Sequence, residues 1–481
     1  MVKERDEIEE QYKWDLTQVF QDEESWMKKY SEVREELHEI EEHRGKLTES
    51  AEKLLKGLKA KDQLMRDISK LAAYARMKTH EDMREQKAQE LKSRSDSLQS
   101  KAASKIGFYE PEIKEMNENQ LEKFLNEEQE LEEYEHYLRD IIRLKQHILD
   151  AETESMLNDL GEIFAAPQET YSMLTNADLT FPEVRHEGEK VQITNSNITK
   201  LLKKPDRELR EKVYNSFFDR IGEFKNSITT MMDKEVKKNV KTAEIRDYDT
   251  ARKSSLKSNN VPVSVYDNLV ETVEDNLDVL HRHVELKKKV HGWDEMKMHD
   301  LYVPVTQKKQ PDIEFEEAKQ LILEAIQPLG EEYVNRAEDF LNQRWIDVYG
   351  NKGKRSGAYS GGTYDTPSFI MMNYQSDVDT MYTLAHELGH SLHSDLANEN
   401  QGYLDSQYKI FVAEIASNVN EILLTNHLLE EDVYTEHVLD YVLENFRSSL
   451  YRQTLFADFE KQIHEKAENN EPLTADTLSE L

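Results

Sequence analysis

The sequence predicts a mainly α-helical chain, packed as two or three units, with one small β-sheet beside a particular helix. Three observations predict it. At 481 residues the chain is too long for one hydrophobic core. From Glu23 to Arg94, apolar residues recur three and four apart between Glu and Lys, and Gly and Pro are nearly absent. Finally, five of the 15 glycines fall between Gly350 and Gly362, just ahead of a short apolar run.

Taken in order, residues 1 to about 160 read as one helix after another. Trp14-Asp15-Leu16-Thr17 reads as a helix start, with Asp15 or Thr17 available to cap it. A turn near Gly107-Phe108-Tyr109-Glu110-Pro111 marks a boundary, and further helix runs to about Asp159. Leu179 to Thr194, with Glu187-Gly188-Glu189 at its middle, reads as a short β-hairpin. Helices resume near Ile198, and Leu301 to Pro304 is a second non-helical stretch. The glycine-rich loop passes through Thr363-Tyr364-Asp365-Thr366-Pro367 into the strand Phe369-Ile370-Met371-Met372. That strand runs into a proline-free helix from Asp379 to Leu392, with Asp379 near its positive end.

Composition narrows the function classes. Charged residues make up 33% and apolar ones 37%, yet 22 Tyr, 15 Phe and 4 Trp supply ample core material. The excess charge therefore suits long helices with one wet face. The absence of cysteine excludes disulfides, thiolate metal sites and cysteine nucleophiles. The N-terminus starts with charge and no apolar run approaches 18 residues, so neither signal peptide nor membrane span is expected and the location reads as cytoplasmic. A net charge of −34 argues against nucleic acid as a partner. It fits both a negative cleft for basic peptides and a general adaptation to salt or high pH.

Chemistry is concentrated in Thr383-Leu384-Ala385-His386-Glu387-Leu388-Gly389-His390, which contains the HExxH pattern. On a helix, residues four apart share a face, so His386 and His390 can reach one metal ion. Zinc suits two imidazoles, and a catalytic zinc site has three protein ligands plus a water. Glu387 then lies beside that water, placed to take its proton. The elongated pattern HExxHxxGxxH would need Gly at 393 and His at 396, but the chain has His393 and Leu396. A glutamate on a following helix is the other common solution. In Phe411-Val412-Ala413-Glu414-Ile415-Ala416-Ser417-Asn418-Val419-Asn420-Glu421, the residues Glu414, Asn418 and Glu421 share a face. Glu414 is placed to ligate, and Asn418 or Glu421 to hydrogen-bond a ligand from behind. Gly361, Gly362, Thr363 and Tyr364 are candidates for a strand edge that pairs with an extended peptide backbone. His281 and His283, two apart on a basic helix, read as ordinary surface residues.

With those residues in hand, the chain resembles the oligoendopeptidase F branch of the thimet-oligopeptidase-like zinc peptidases. The resemblance rests on Gly353-Lys354-Arg355-Ser356-Gly357-Ala358-Tyr359, Gly362 to Pro367, Met372-Asn373-Tyr374, Leu384 to Ser391, Phe411 to Ser417 and Asn420-Glu421. Upstream, Phe108 to Ile113 and Ser264 to Leu269 extend it over nearly the whole chain. It implies a two-lobed helical zincin with a deep central channel, one Zn²⁺ at the channel floor, and oligopeptide substrates cut by an endopeptidase. It also implies His386, His390 and Glu414 as ligands and Glu387 as general base. Residues 1–112 would form an N-terminal helical region, 113–182 a second helical unit, and 183–481 the zinc peptidase domain, incomplete at its C-terminus. Family members continue further and supply a His and Tyr cluster there, so the resemblance implies a truncated chain of low activity; losing one oxyanion donor costs about 100- to 1000-fold. Two rival readings are a zinc carboxypeptidase, with Lys354 or Arg355 catching the terminal carboxylate, and a non-catalytic helical binding protein.

Overall fold

The computed structural model describes residues 3–186, 188–195, 197–306 and 308–481. Glu187, expected near the hairpin tip, lies outside the described residues. The described chain is mostly helical, with two small sheets. It divides into two compact units, Met1–Ser155 with Gln310–Val438, and Met156–Lys309 with Leu439–Leu481. Among the described residues no helix is long and apolar enough to cross a membrane.

The first unit opens with α1 (Glu23–Glu36), which starts where Asp22 accepts the Ser25 N–H at 2.7 Å. Trp14 to Thr17 forms only a short turn, Leu16–Gln18, capped by Asp15. The continuous helix begins later because Asp22 and Ser25 cap each other reciprocally. Helix α2 (Ala51–Glu81) buries Leu54, Leu58, Ile68, Leu71 and Ala75 along one stripe. The Trp26 indole, fully buried on α1, donates to the Leu71 carbonyl at 3.0 Å. Helix α3 (Gln86–Ile106) pairs with α2. The segment read as a turn near Pro111 folds as the short helix Tyr109–Ile113. Pro111 is tolerated there because residues in a first turn have no helical N–H bond to lose.

The same unit holds α4 (Phe315–Ala325), α5 (Glu331–Asn342) and the sheet of β1 (Ile346–Asp347), β2 (Tyr359–Thr363) and β3 (Thr366–Met371). Strand β3 is central, parallel to β1 and antiparallel to β2. Its Phe369, Ile370 and Met371 are buried, as their apolar run predicts, while β2 lies at the sheet edge. The glycine-rich stretch is thus partly strand rather than all loop. Gly362 belongs there for steric reasons: a Cβ would stand 2.6 Å from the Pro367 carbonyl oxygen. Beyond β3 come α6 (Val378–Asn400) and α7 (Ile410–Glu430).

The second unit contains the expected hairpin, with Val184 opposite Val191 in antiparallel register. Phe181, Val184, Ile193, Leu209, Val213 and Phe217 pack as one core beside it. The fully buried Arg210 and Asp300 pair at 2.8 Å, just ahead of the non-helical Leu301–Pro304 stretch.

Candidate metal centre

Helix α6 is anchored at Asp377, whose carboxylate accepts the Thr380 N–H at 2.9 Å and whose backbone is met by Thr380 in return. Met381, Leu384, Ala385, Leu388 and Leu392 bury its inner face. His386, Glu387 and His390 stand on another stripe, as the four-residue spacing predicts. Helix α7 can approach because position 389 is glycine. A Cβ at Gly389 would lie 2.7 Å from Ser417 Cα and 2.8 Å from the Ala416 carbonyl. Asn420, fully buried on α7, locks the pair by donating to the Ala385 carbonyl at 3.1 Å. The Tyr333 hydroxyl of α5 donates to the Asn420 side-chain oxygen in turn.

This packing brings His386, His390 and Glu414 together as a group able to hold a metal ion. His386 Nε2 lies 3.1 Å from His390 Nε2, and each stands 3.3 Å from Glu414 Oε2. Three donors of a tetrahedral zinc site, with bonds of about 2.0 Å, stand about 3.3 Å apart. The donor set therefore fits a zinc ion in both spacing and chemistry. Glu414 is held by the Ser417 hydroxyl, which donates to its Oε2 at 3.0 Å. His386 Nδ1 donates to Glu421 Oε1 at 2.6 Å, which leaves the Nε2 lone pair free to point at the ion.

Asn418 is not brought to the histidines. Among the described residues no hydrogen bond joins it to either ring, and its side chain is exposed. Seven residues from Glu414 return the helix to within about 20° of the same stripe, whereas four leave it about 40° away. His393 also stands apart, stacked on Tyr408 with ring centroids 3.9 Å apart.

The local charges follow from burial. Burial disfavours a charged His386, but the Glu421 hydrogen bond and the carboxylates of Glu421, Glu387 and Glu414 outweigh it and raise the pKa. Burial and the neighbouring His386 lower that of His390. Glu387 is only 8% exposed, and burial raises its pKa against the pull of His386 and of a Ser360 N–H.

Ser360 of β2 reaches the site helix directly, its hydroxyl 2.8 Å from that of Ser391 on α6. Ile370 of β3 donates its own N–H to the Trp345 carbonyl at 2.8 Å, on the β1 side. Its partner Ser360 is therefore a pair not hydrogen-bonded to β3, and the Ser360 N–H and C=O face the open edge. Of the residues expected at that edge, Gly362 lies on β2 at a register irregularity between Gly361 and Thr363. Thr363 and Tyr364 lie where the chain turns towards β3: the Thr363 N–H donates to Thr366 Oγ1 at 2.9 Å, and the Tyr364 hydroxyl to the Gln401 carbonyl at 3.1 Å. A cavity of about 240 Å³ opens beside them, lined by Gly361, Gly362, Tyr364, Ser394 and Tyr408. Sequence reasoning missed Ser360, Ser417 and Asn420 as positioning groups, since small polar residues carry no periodic signal.

Comparison with known proteins decides the family. The model of Peptidase family M3 matches residues 200–481, more than half the chain, and that of Oligopeptidase F matches residues 112–181. The chain belongs to peptidase family M3. As an M3 chain it is a metallopeptidase, which bears out the resemblance read from its motifs. Oligopeptidase PepF of Bacillus subtilis is 38% identical over 99% of this chain and 72% of its own length. Group B oligopeptidase PepB of Streptococcus agalactiae is 38% identical over 99% of this chain and 80% of its own. Among solved M3-like structures, oligoendopeptidase-F from Enterococcus faecium superposes with a TM-score of 0.71 at 33% identity, covering 95% of this chain and 78% of that one.

Proposed function

We propose that this M3 peptidase is a zinc-dependent endopeptidase that hydrolyses oligopeptides, with His386, His390 and Glu414 holding one ion and Glu387 as general base. The triangle of donor atoms, 3.1 to 3.3 Å on each side, carries the reading. A zinc ion bound there supplies Lewis acidity, lowering the pKa of water and polarising a carbonyl. Glu387 takes the proton of the attacking water and returns it to the leaving amine. The open edge of β2 pairs with an extended substrate backbone. The names of the relatives, oligopeptidase and oligoendopeptidase, support short peptides as substrates.

The carboxypeptidase reading loses one of its two cations. Lys354 is 1% exposed and its ammonium is spent on Asp347 at 2.6 Å and on the carbonyls of Asp347, Tyr349 and Met372. An internally quenched peptide with both ends blocked tests the endopeptidase directly. The zinc-loaded chain should cleave it, and Glu387→Gln should keep the metal while losing about 100- to 10,000-fold in kcat. Cleavage retained by Glu387→Gln removes the residue from its role.

A further inference from the structure

Two arginines lie over one face of β2 without a carboxylate partner. Gly361 has no side chain, and a Cβ there would lie 3.4 Å from the Arg76 guanidinium, which reaches over from α2. Tyr359, two residues earlier, presents its ring on the same face of the strand. Arg355 lies over that ring, 5.4 Å from its centroid. Ser360, between them, turns its hydroxyl to the opposite face, 2.8 Å from Ser391 of α6.

With 97 acidic side chains against 63 basic ones, an arginine in this chain readily meets a carboxylate, as Arg66 meets Asp365. Among the described residues, Arg76 and Arg355 form no ion pair, and both are exposed. The carboxylates nearest Tyr359 are already engaged. Asp347 holds Arg5 and Lys354, and Glu81 holds Lys78 and the Trp14 indole. His80 adds no charge of its own: burial, then Arg355 and Arg76, lower its pKa to about 4. Being neutral, it accepts from Arg355 at 3.3 Å on Nε2 and donates from Nδ1 to the Tyr359 hydroxyl at 2.8 Å.

We propose that Arg76 and Arg355 bind a carboxylate of the peptide laid along the β2 edge, making this a peptidase selective for peptides that carry one near the scissile bond. The inference rests on β2 as the edge that holds substrate. The carboxylate belongs either to an acidic side chain or to the peptide C-terminus, since a guanidinium grips both through the same paired hydrogen bonds.

Equilibrium binding tests it without turnover. Zinc-loaded Glu387→Gln protein is titrated against fluorescein-labelled octapeptides in two matched pairs, read by anisotropy. One pair has a free C-terminus against its amide. The other, amidated throughout, has Glu against Gln at an internal position. One pair should show about tenfold tighter binding of the carboxylate form, ~1.4 kcal/mol, and which pair does so identifies the source. Adding Arg76→Gln and Arg355→Gln together should bring that ratio close to one, while Arg76→Lys with Arg355→Lys keeps part of it. A purely structural role for the arginines would weaken both members of a pair alike. Equal binding within both pairs, or a ratio that survives the double substitution, overturns the inference alone. Failure of every peptide to bind overturns it together with the edge reading beneath it.

Discussion

Asp347 on β1 and Glu387 on α6 are both buried carboxylates of the first unit, 1% and 8% exposed, yet their surroundings are opposite. Asp347 is met by Arg5 at 2.5 Å and Lys354 at 2.6 Å. Burial pushes its pKa up, but Lys354 and Arg5 more than reverse that and hold it below the ordinary carboxylate range. Neither Glu387 nor its neighbour Glu414 has a lysine or arginine partner among the described residues. Their nearest basic groups are imidazoles. A buried acid that brings its own cations is architecture. A buried acid beside two histidines and a second carboxylate that converge without a cation borders a place for one from outside.

The strongest test of that contrast removes a carboxylate from the self-neutralised network. Asp347→Ala leaves Lys354 buried without its counter-charge and should destabilise the protein by about 3 to 5 kcal/mol, read by urea unfolding. A loss below ~1 kcal/mol would show the network to be ornamental and weaken the comparison.

A third buried acid sharpens it. Asp62 on α2 is 6% exposed and accepts the Tyr134 hydroxyl at 2.8 Å. Burial raises its pKa from 3.8 to about 6, against the pull of that hydrogen bond and of Lys61. The folded value lies above the unfolded one, so the contribution to stability is complete below pH 3.8 and declines as pH rises through about 6. Asp62→Asn should therefore match the parent at low pH and exceed it by up to about 3 kcal/mol at neutral pH. A difference between the two proteins that does not change from pH 4 to pH 8 would contradict this.

The smallest effect expected is at the metal centre itself. Glu421→Gln keeps a hydrogen bond to His386 Nδ1 but removes a charge, and should weaken zinc binding about 10- to 100-fold in competition with a chelator. Asn418→Ala should leave zinc affinity within about twofold, because Asn418 reaches neither ring. Equal losses from the two substitutions would mean that helix α7 presents a different face to the histidines.

Much of this was legible in the residues. The hairpin of the second unit, the strand Thr366–Met371 and the α6 helix all lie where the apolar patterns place them. The sequence places a helix start at Trp14 to Thr17, ahead of α1, because Asp15 and Asp22 are both good caps and only Asp22 has Ser25 to answer it. Nor could the sequence show that Gln310–Val438 packs with the first 155 residues while the intervening segment forms a unit of its own. Chain order carries no record of which distant apolar stripes will meet.

By itself the sequence determined what helix geometry dictates: two imidazoles four residues apart on one stripe, an acid beside them, and no thiolate to compete for the metal. These are local facts, settled by a rise of about 1.5 Å and a turn of about 100° per residue. Only the tertiary structure decided that Glu421 rather than Asn418 stands behind His386, and that Arg76 comes to lie beside Gly361. Those outcomes depend on how closely two backbones pack, as at Gly389 against Ser417, and packing distance is set by every side chain in the contact at once.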